Sequence, residues 1–354
     1  MHDNPEKTIA VAVSGGIDSL VAAFLLKQSG FDVFGMHFTT GYESAGGHSN
    51  TRTRIDHLSR TLGITVHSID IRDIFEARIV NYFVSTYSMG KTPNPCMRCN
   101  RDIKFGIMLD YAGKLGARRL ATGHYARTEK SENGRFALKR GVDLKKDQSY
   151  FLAMLDQGQL AQSCFILGDK TKTDVRQIAE TNNIHPFFQK ESQDICFIKK
   201  MTAREFLTSR LQNKFESGEI VDAKGYVIGR HNGLFHYTIG QRRGINCPGP
   251  QAYYVTGIDI RRNRLVVGFK DELCKKRCTI TNVNWIKPRP SGPVAVTARI
   301  RYRHKAVESV LTHTGRDTAT IDFSEPQPAV TPGQAAVCYQ GDEVVAAGWI
   351  ENGI

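Results

Sequence analysis

Strand-like and helix-like segments alternate through the first 125 or so residues, and short β-branched runs broken by Pro and Gly fill the chain from Cys278 onward. The first pattern predicts an α/β fold, a parallel sheet covered by helices on both faces, and the second a small C-terminal β-barrel or sandwich. Between them lies a short connecting domain. The expected boundaries are residues 1–200, 201–272 and 273–354, in a chain of 354 residues that is long enough for two or three domains.

Each element has its own signature. Lys7–Val13 is a β-branched apolar run, and Leu20–Lys27 reads as a helix closed by Gly30. Phe31–Phe38 is the second strand, followed by a Gly/Ser-rich loop at Gly41–Asn50. A helix over Thr51–Leu62 stops at Gly63; Ile64–Ile69 is the third strand and Asp73–Phe83 the third helix. "RRLATGHYA" (Arg118–Ala126) reads as a further strand ending in a Gly-His loop. "REFLTSRLQ" is the last helix, and "YYVTGIDIRRNRLVVGF" a hairpin turning near Arg262-Asn263. The segment "MHDNPEKTIAV" lacks the basic start and apolar core of a signal peptide, and no stretch has the length of a membrane span, so a cytoplasmic protein without membrane association is expected. The 48 basic and 35 acidic residues give a net charge of +13, which favours a polyanionic partner.

The first strand runs into "SGGIDS" (Ser14–Ser19) before the first helix. Two glycines at such a junction let backbone N–H groups converge, and the helix N-terminus adds free donors and partial positive charge, which suits phosphate. Ser14 and Ser19 add hydroxyls, and Asp18 can cap the helix or hold a cation near the phosphates. The stretch is neither a Walker loop nor the Gly-x-Gly-x-x-Gly of dinucleotide binders. It resembles the pyrophosphate loop of enzymes that cleave ATP between the α and β phosphates.

Eight irregularly spaced cysteines suit a reducing compartment and point to buried, metal-binding or catalytic thiols. In "GKTPNPCMRCNRDIKF" (Gly90–Phe105), Cys99 falls where a Pro-rich loop enters a helix, beside Arg98, Arg101 and Lys104. Helix entry and basic neighbours lead one to expect a stabilised thiolate there. The Cys96/Cys99 pair by itself fits half a zinc site, a redox pair or iron–sulfur ligands, and no second Cys-x-x-Cys completes a zinc ribbon. Cys196, in "KESQDICFI", lies in a half-buried loop far along the chain; only the fold could bring it to Cys99.

"SGGIDS", "TPNPCMRCNRDIKF", "ATGHYA", "KDQSYFL", "SQDICFI" and "YTIGQRRGI" stand in this order, with "NW" and "TPGQAAV" beyond them. The combination resembles the bacterial tRNA-specific 2-thiouridylases over nearly the whole chain. The resemblance implies an adenine nucleotide alpha hydrolase-like, Rossmann-like catalytic domain and ATP-dependent 2-thiolation of the wobble uridine in tRNA anticodons. It implies that Ala12, Val13, Ser14, Gly15, Gly16, Ile17, Asp18 and Ser19 surround the ATP phosphates, and that Met36 and Gly123 contact the nucleotide. Cys196 would take a persulfide sulfur from a donor protein, a sulfur-relay protein or a cysteine desulfurase, with Cys99 as the partner nucleophile. Asn94, Pro95 and Cys96 would lie against the target base. His124, Lys146, Asp147, Gln148, Arg301, Tyr302 and Gln334 would touch the tRNA, and Mg2+ would neutralise the ATP phosphates.

Some relatives carry Asp where this chain has Cys96, so an acid–base role there is in doubt. Cys96, Cys99 and Cys196 could instead ligate an iron–sulfur cluster, a reading not favoured. Arg299, Arg301 and Arg303 would alternate on one face of a strand with Tyr302 opposite, suiting phosphate tracking by the terminal domain; Lys145-Lys146, Arg242-Arg243, Arg261-Arg262 and Lys275–Arg277 are further basic clusters. The competing classes are an amide-forming synthetase with the same phosphate loop and a non-catalytic RNA-binding protein with structural zinc.

Overall fold

A computed structural model describes residues 7–43, 47–187, 195–199, 201–211 and 216–353, without side chains at 47–50. Part of the "KESQDICFI" motif and part of the Gly/Ser-rich loop lie outside the described residues. The chain divides into two compact units: Met1–Ile79, Cys96–Lys199 and Asp342–Val344 form one, Val80–Pro95, Lys200–Gly341 and Val345–Ile354 the other.

In the first unit, β1 (Thr8–Ala12), β2 (Asp32–Thr39), β3 (Val66–Asp70), β4 (Arg119–Ala121) and β7 (Ser163–Cys164) form a sheet in the order β3-β2-β1-β4-β7. Its pairings are parallel, with Ala10 between Phe34 and Leu120. β1 is central and almost wholly buried, which is why its sequence is a continuous apolar run rather than an alternating one. Helix α1 (Ile17–Gln28) follows β1, and Leu20, Val21, Ala22, Ala23 and Leu26 sink into a core with Ile9, Val11, Leu58 and Val175. α2 (Gly47–Leu62) and α3 (Lys172–Thr181) pack against α1, and Gly63 ends α2 at φ +59°. A hairpin of β5 (Ala126–Lys130) and β6 (Phe136–Arg140) leaves the loop after β4.

The helix expected at Asp73–Phe83 is not regular. It begins at Arg72, winds through a π-helical stretch at Glu76–Val80, and resumes at Asn81–Ser88. The 3.6-residue periodicity that predicts a helix carries no mark of the wider turn.

The second unit holds two sheets. β8 (Gly218–Val221), β9 (Val227–His231), β10 (Tyr254–Asp259) and β11 (Arg264–Gly268) are ordered β10-β11-β8-β9 around Ile220, Val255, Leu265 and Val267. The β10–β11 hairpin turns where expected, with Asn263 at φ +51°, a conformation that Asn tolerates. Among the described residues, six strands then close a barrel: β12 (Cys274–Trp285), β13 (Val294–Arg299), β14 (Val307–Gly315), β15 (Thr318–Pro328), β16 (Ala335–Gln340) and the part of β17 (Glu343–Gly353) from residue 345. The order is β12-β15-β14-β13-β16-β17, and β12 pairs back to β17 from Cys278↔Gly353 to Trp285↔Ala346. That pairing leaves no barrel strand with an open edge among the described residues, and inward residues such as Ile280, Leu311, Ile321 and Val345 fill the interior.

Leu20→Ala should destabilise the first unit by about 2–5 kcal/mol, since the side chain is fully buried and the packed core can close only part of the void. Chemical denaturation checks this; a loss below about 1 kcal/mol would contradict the packing.

Candidate active site

β1 gives way to the loop at Val13, whose N–H donates to the Met36 carbonyl at 2.9 Å. Gly15 sits at φ +90°, in the left-handed region where a side chain is strained, and Gly16 is extended immediately before α1. Ser19 ties the loop to the helix: its hydroxyl donates to the Gly16 carbonyl (2.9 Å) and accepts the Ser14 N–H (3.3 Å). The Ser14 hydroxyl accepts the Gly16 N–H at 3.4 Å. The Phe187 N–H closes the loop from the other side, on the Gly15 carbonyl at 2.9 Å. No side chain caps α1 at Gly16, which leaves the first turn's donors for an anion. Met36 is entirely buried behind the loop.

Asp18 does not cap α1, one of the two roles the sequence allows it. Its carboxylate accepts the Tyr125 hydroxyl at 2.7 Å and the Lys172 ammonium at 2.7 and 2.8 Å. Lys172 is the first residue of α3, where its charge opposes the helix dipole, and its side chain is only 8% exposed. Asp18 compensates both penalties. The sequence reading missed Lys172 and Tyr125; a lysine at a helix start carries no signal until the fold brings Asp18 to it. Gly123 has a steric reason: a Cβ there would stand 2.8 Å from the Asp18 carbonyl carbon and the Ser19 nitrogen. Only glycine lets the β4 loop lie against the start of α1.

His124 is buried, with Nδ1 2.7 Å from the Thr122 hydroxyl and Nε2 3.5 Å from the Lys104 ammonium. Burial, helped by the charge of Lys104, holds its pKa well below the usual histidine range. The ring is therefore neutral, and the ammonium partner assigns the proton to Nδ1, which donates to Thr122.

The helix at Pro95–Cys99 starts at Pro95, so Cys99 lies at its end rather than at its entry. The following stretch, Asn100–Met108, is π-helical and closes its turns five residues back; Lys104 stands five beyond Cys99. Arg98 and Arg101 both pair with Asp102, at 3.0 and 2.7 Å. Burial pushes the Cys99 thiol up to about 12, against the opposing pull of Lys104. Cys96 is open to solvent, yet its surroundings are dense enough that desolvation raises its thiol to about 11. The expected stabilised thiolate at Cys99 is thus not what the structure holds: desolvation of the charged form outweighs the basic neighbours.

Cys196 belongs to the same site. Phe197 anchors it, buried with its ring 5.8 Å from Tyr42 and 5.9 Å from Phe75. Cys196 remains open to solvent within surroundings dense enough that desolvation raises its thiol, while Lys104 and Lys199 act the other way and Glu43 adds to the rise. The charge of Cys196 is felt at both Cys96 and Cys99, and Lys104 acts on all three. The fold therefore brings Cys196 from far along the chain to the Cys96/Cys99 pair. Among the described residues no group of three or more His, Cys, Asp or Glu is arranged to hold a metal ion.

The remaining expected residues are placed as follows. Asp147 is buried and accepts the Ser149 N–H at 3.0 Å; Gln148 accepts the Tyr125 N–H at 3.0 Å through its side chain, and Lys146 is half-exposed. In the second unit, Asn94 and Pro95 are buried, and the Gln334 amide donates to the Thr92 and Pro93 carbonyls. Arg299, Arg301 and Arg303 do not alternate on a strand. β13 ends at Arg299, whose guanidinium folds back onto the carbonyls of Tyr302 and His304, and Arg301 and Arg303 are exposed in the turn beyond.

A phosphate-type loop between strand and helix, in one compact unit with a group of thiols, is the arrangement of an ATP-pyrophosphatase-type fold. Family models agree with the fold: the tRNA methyl transferase HUP domain matches residues 7–200, the tRNA methyl transferase PRC-barrel domain 204–269, and the aminomethyltransferase beta-barrel domain 275–350. The tRNA-specific 2-thiouridylase MnmA of Desulfosudis oleivorans is 47% identical over 97% of this chain and 94% of its own. Its namesakes in Geotalea uraniireducens and Gloeothece citriformis are 39% and 43% identical, over 100% and 97% of this chain and 97% and 99% of theirs. The chain belongs to the tRNA-specific 2-thiouridylase family.

Because its thiol is held up at about 12, Cys99 should alkylate slowly at pH 7, and its rate should rise about tenfold per pH unit to pH 9 and beyond. Peptide mass spectrometry after timed iodoacetamide labelling checks this. A plateau below pH 9 would restore the low-pKa thiolate.

Proposed function

We propose that the protein is a tRNA-uridine 2-sulfurtransferase that places sulfur at position two of the wobble uridine in tRNA anticodons, at the cost of ATP cleaved to AMP and diphosphate. The observation that carries the reading is the gathering of Cys96, Cys99 and Cys196 around Lys104 in the unit that also holds the phosphate loop.

The C2 carbonyl oxygen of uridine is a poor leaving group, and its attack on the α-phosphorus of ATP makes it one while expelling diphosphate. The loop Ala12–Ser19 would hold the phosphates on its amides, with Met36 and Gly123 toward the nucleotide. Asp18 is the carboxylate at the loop able to hold Mg2+, which usually binds through one or two carboxylates plus substrate phosphates and supplies charge neutralisation. Lys172 would then be released toward phosphate. A persulfide on Cys196, loaded by a donor protein, attacks C2 through its terminal sulfur. The Cys99 thiol next attacks Sγ of Cys196 as its proton passes to water; the sulfur–sulfur bond breaks, sulfur stays on C2, AMP departs, and a Cys99–Cys196 disulfide remains. A dithiol reductant returns both thiols using two electrons.

All eight cysteines are free thiols, which fits a reducing cytoplasm, and no helix among the described residues is long and apolar enough to cross a membrane. The wobble base lies in an unpaired loop, so turning it out of its stack costs little. Asn94, Pro95 and Cys96 would meet that base, and His124, Lys146, Asp147, Gln148, Arg301 and Tyr302 would line the RNA path by contact or by shaping it.

The roles of the two cysteines are separable. Cys196→Ser should form adenylated tRNA but transfer no sulfur, whereas Cys99→Ser should accumulate persulfide on Cys196. Mass spectrometry of the tRNA and of trapped peptides distinguishes them, and normal thiolation by both variants would sink the scheme. On the RNA side, Arg301→Ala should weaken binding of every substrate tRNA and flatten the salt dependence by about one contact. An unchanged salt slope places the grip elsewhere.

A further inference from the structure

The stretch Thr92-Pro93-Asn94-Pro95 leads directly into Cys96 and is poor in backbone donors, because neither proline carries an N–H. Residues before proline are held extended, so this segment cannot satisfy its own carbonyls by a helical turn, and buried carbonyls need donors from elsewhere. The terminal barrel supplies them. Gln334 Nε2 donates to the Thr92 carbonyl at 3.1 Å and to the Pro93 carbonyl at 2.8 Å. A primary amide has two N–H groups, and both are engaged.

The rest of the turn closes on the same segment. The Thr92 N–H donates to the Pro332 carbonyl at 2.8 Å. Gly333, at φ +87°, lies so close that a Cβ would stand 2.8 Å from the Thr92 oxygen and 3.0 Å from its nitrogen. Lys91 pairs with Glu351 of β17 at 2.8 Å, and the Thr92 hydroxyl reaches that of Thr238 at 3.3 Å. β17 fixes the turn itself: the Gly333 N–H donates to Ile350, and the Ile350 N–H to Gln334. The β13–β16 ladder ends at Arg299↔Val337, so this turn and the exposed Arg301 lie at the same end of neighbouring strands.

We propose that Gln334 is a positioning residue: it fixes the Thr92–Pro93 backbone, and through it the presentation of Asn94 and Pro95 to the target base. The barrel is then the mount of the base-facing segment as well as an RNA surface. The kinetic part rests on the proposed thiolation; the mechanical part does not.

The test uses the full chain with Gln334→Glu, nearly isosteric but unable to donate, and Gly333→Ala, which crowds the same backbone without altering the amide. Hydrogen exchange of a peptide covering residues 87–95 should accelerate in both variants, with a barrel peptide over 318–328 unchanged. The dissociation constant for substrate tRNA should stay within about twofold, while the single-turnover thiolation rate at saturating tRNA falls on the order of 100-fold. Weakened tRNA binding with an intact saturated rate would make Gln334 a direct RNA contact and overturn the proposal. So would unchanged exchange at 87–95, or an equal rise in the barrel peptide. If the wild-type chain itself does not thiolate tRNA, the functional reading fails, and the exchange measurement still decides the role of Gln334.

Discussion

The first unit's site depends on one ion pair. Lys172 puts a nearly buried positive charge at the start of a helix, a position that both desolvation and the helix dipole oppose. Asp18 answers that charge from the first turn of another helix, where a carboxylate is favoured, and the Tyr125 hydroxyl completes its shell. Removing one partner of a fully buried pair costs about 3–5 kcal/mol, since the other charge is left without compensation; with the Asp18 side chain 30% exposed, water reduces that cost here. Three separated stretches of chain, at residues 18, 125 and 172, are therefore held around the phosphate loop by a single carboxylate. Gly123 extends the same arrangement, because its missing side chain lets the β4 loop lie on the Asp18–Ser19 backbone.

The thiol site is governed by the opposite balance. Around Cys99, desolvation exceeds the attraction of Lys104, and a protonated thiol results. Protonated thiols are poor nucleophiles and resist oxidation, so the resting centre is quiet. Arg98 and Arg101, which in the sequence look like two more cations for Cys99, pair with Asp102. Lys104 is left as the cation whose field reaches every member of the trio, steadied by a neutral histidine that can accept from it but cannot compete in charge.

The elements legible in the sequence are those whose physics is local. The apolar run of β1, the glycine stops at Gly30 and Gly63 and the hairpin turn at Asn263 are written in short-range preferences, and each stands where expected. The two π-helical stretches were not legible, since an extra residue per turn leaves no periodic trace in so short a segment. The protonation of Cys99 was not legible either. Charge neighbours can be read from adjacent letters, whereas burial depends on what the fold places on top, and here burial has the larger effect. Arg299 failed for a related reason: strand alternation was assumed beyond β13, but the strand stops there and the guanidinium turns back onto its own turn.

A motif carried over from relatives fixes where a residue matters but not how. Asp147, Gln148, Gly123 and Gln334 all enter by resemblance as ligand-facing groups, yet each does structural work that can be named. Asp147 accepts backbone N–H groups while buried, and Gln148 braces Tyr125, which in turn holds Asp18. Gly123 makes room, and Gln334 commits both amide hydrogens to carbonyls. A group whose donors are already engaged gains nothing by meeting RNA unless it first breaks those bonds, and leaving a buried carbonyl unsatisfied costs about 1–3 kcal/mol. Exposed Arg301 bears no such cost. Hydrogen-bond state therefore separates, within the family motifs, groups already engaged in holding the fold from exposed groups such as Arg301.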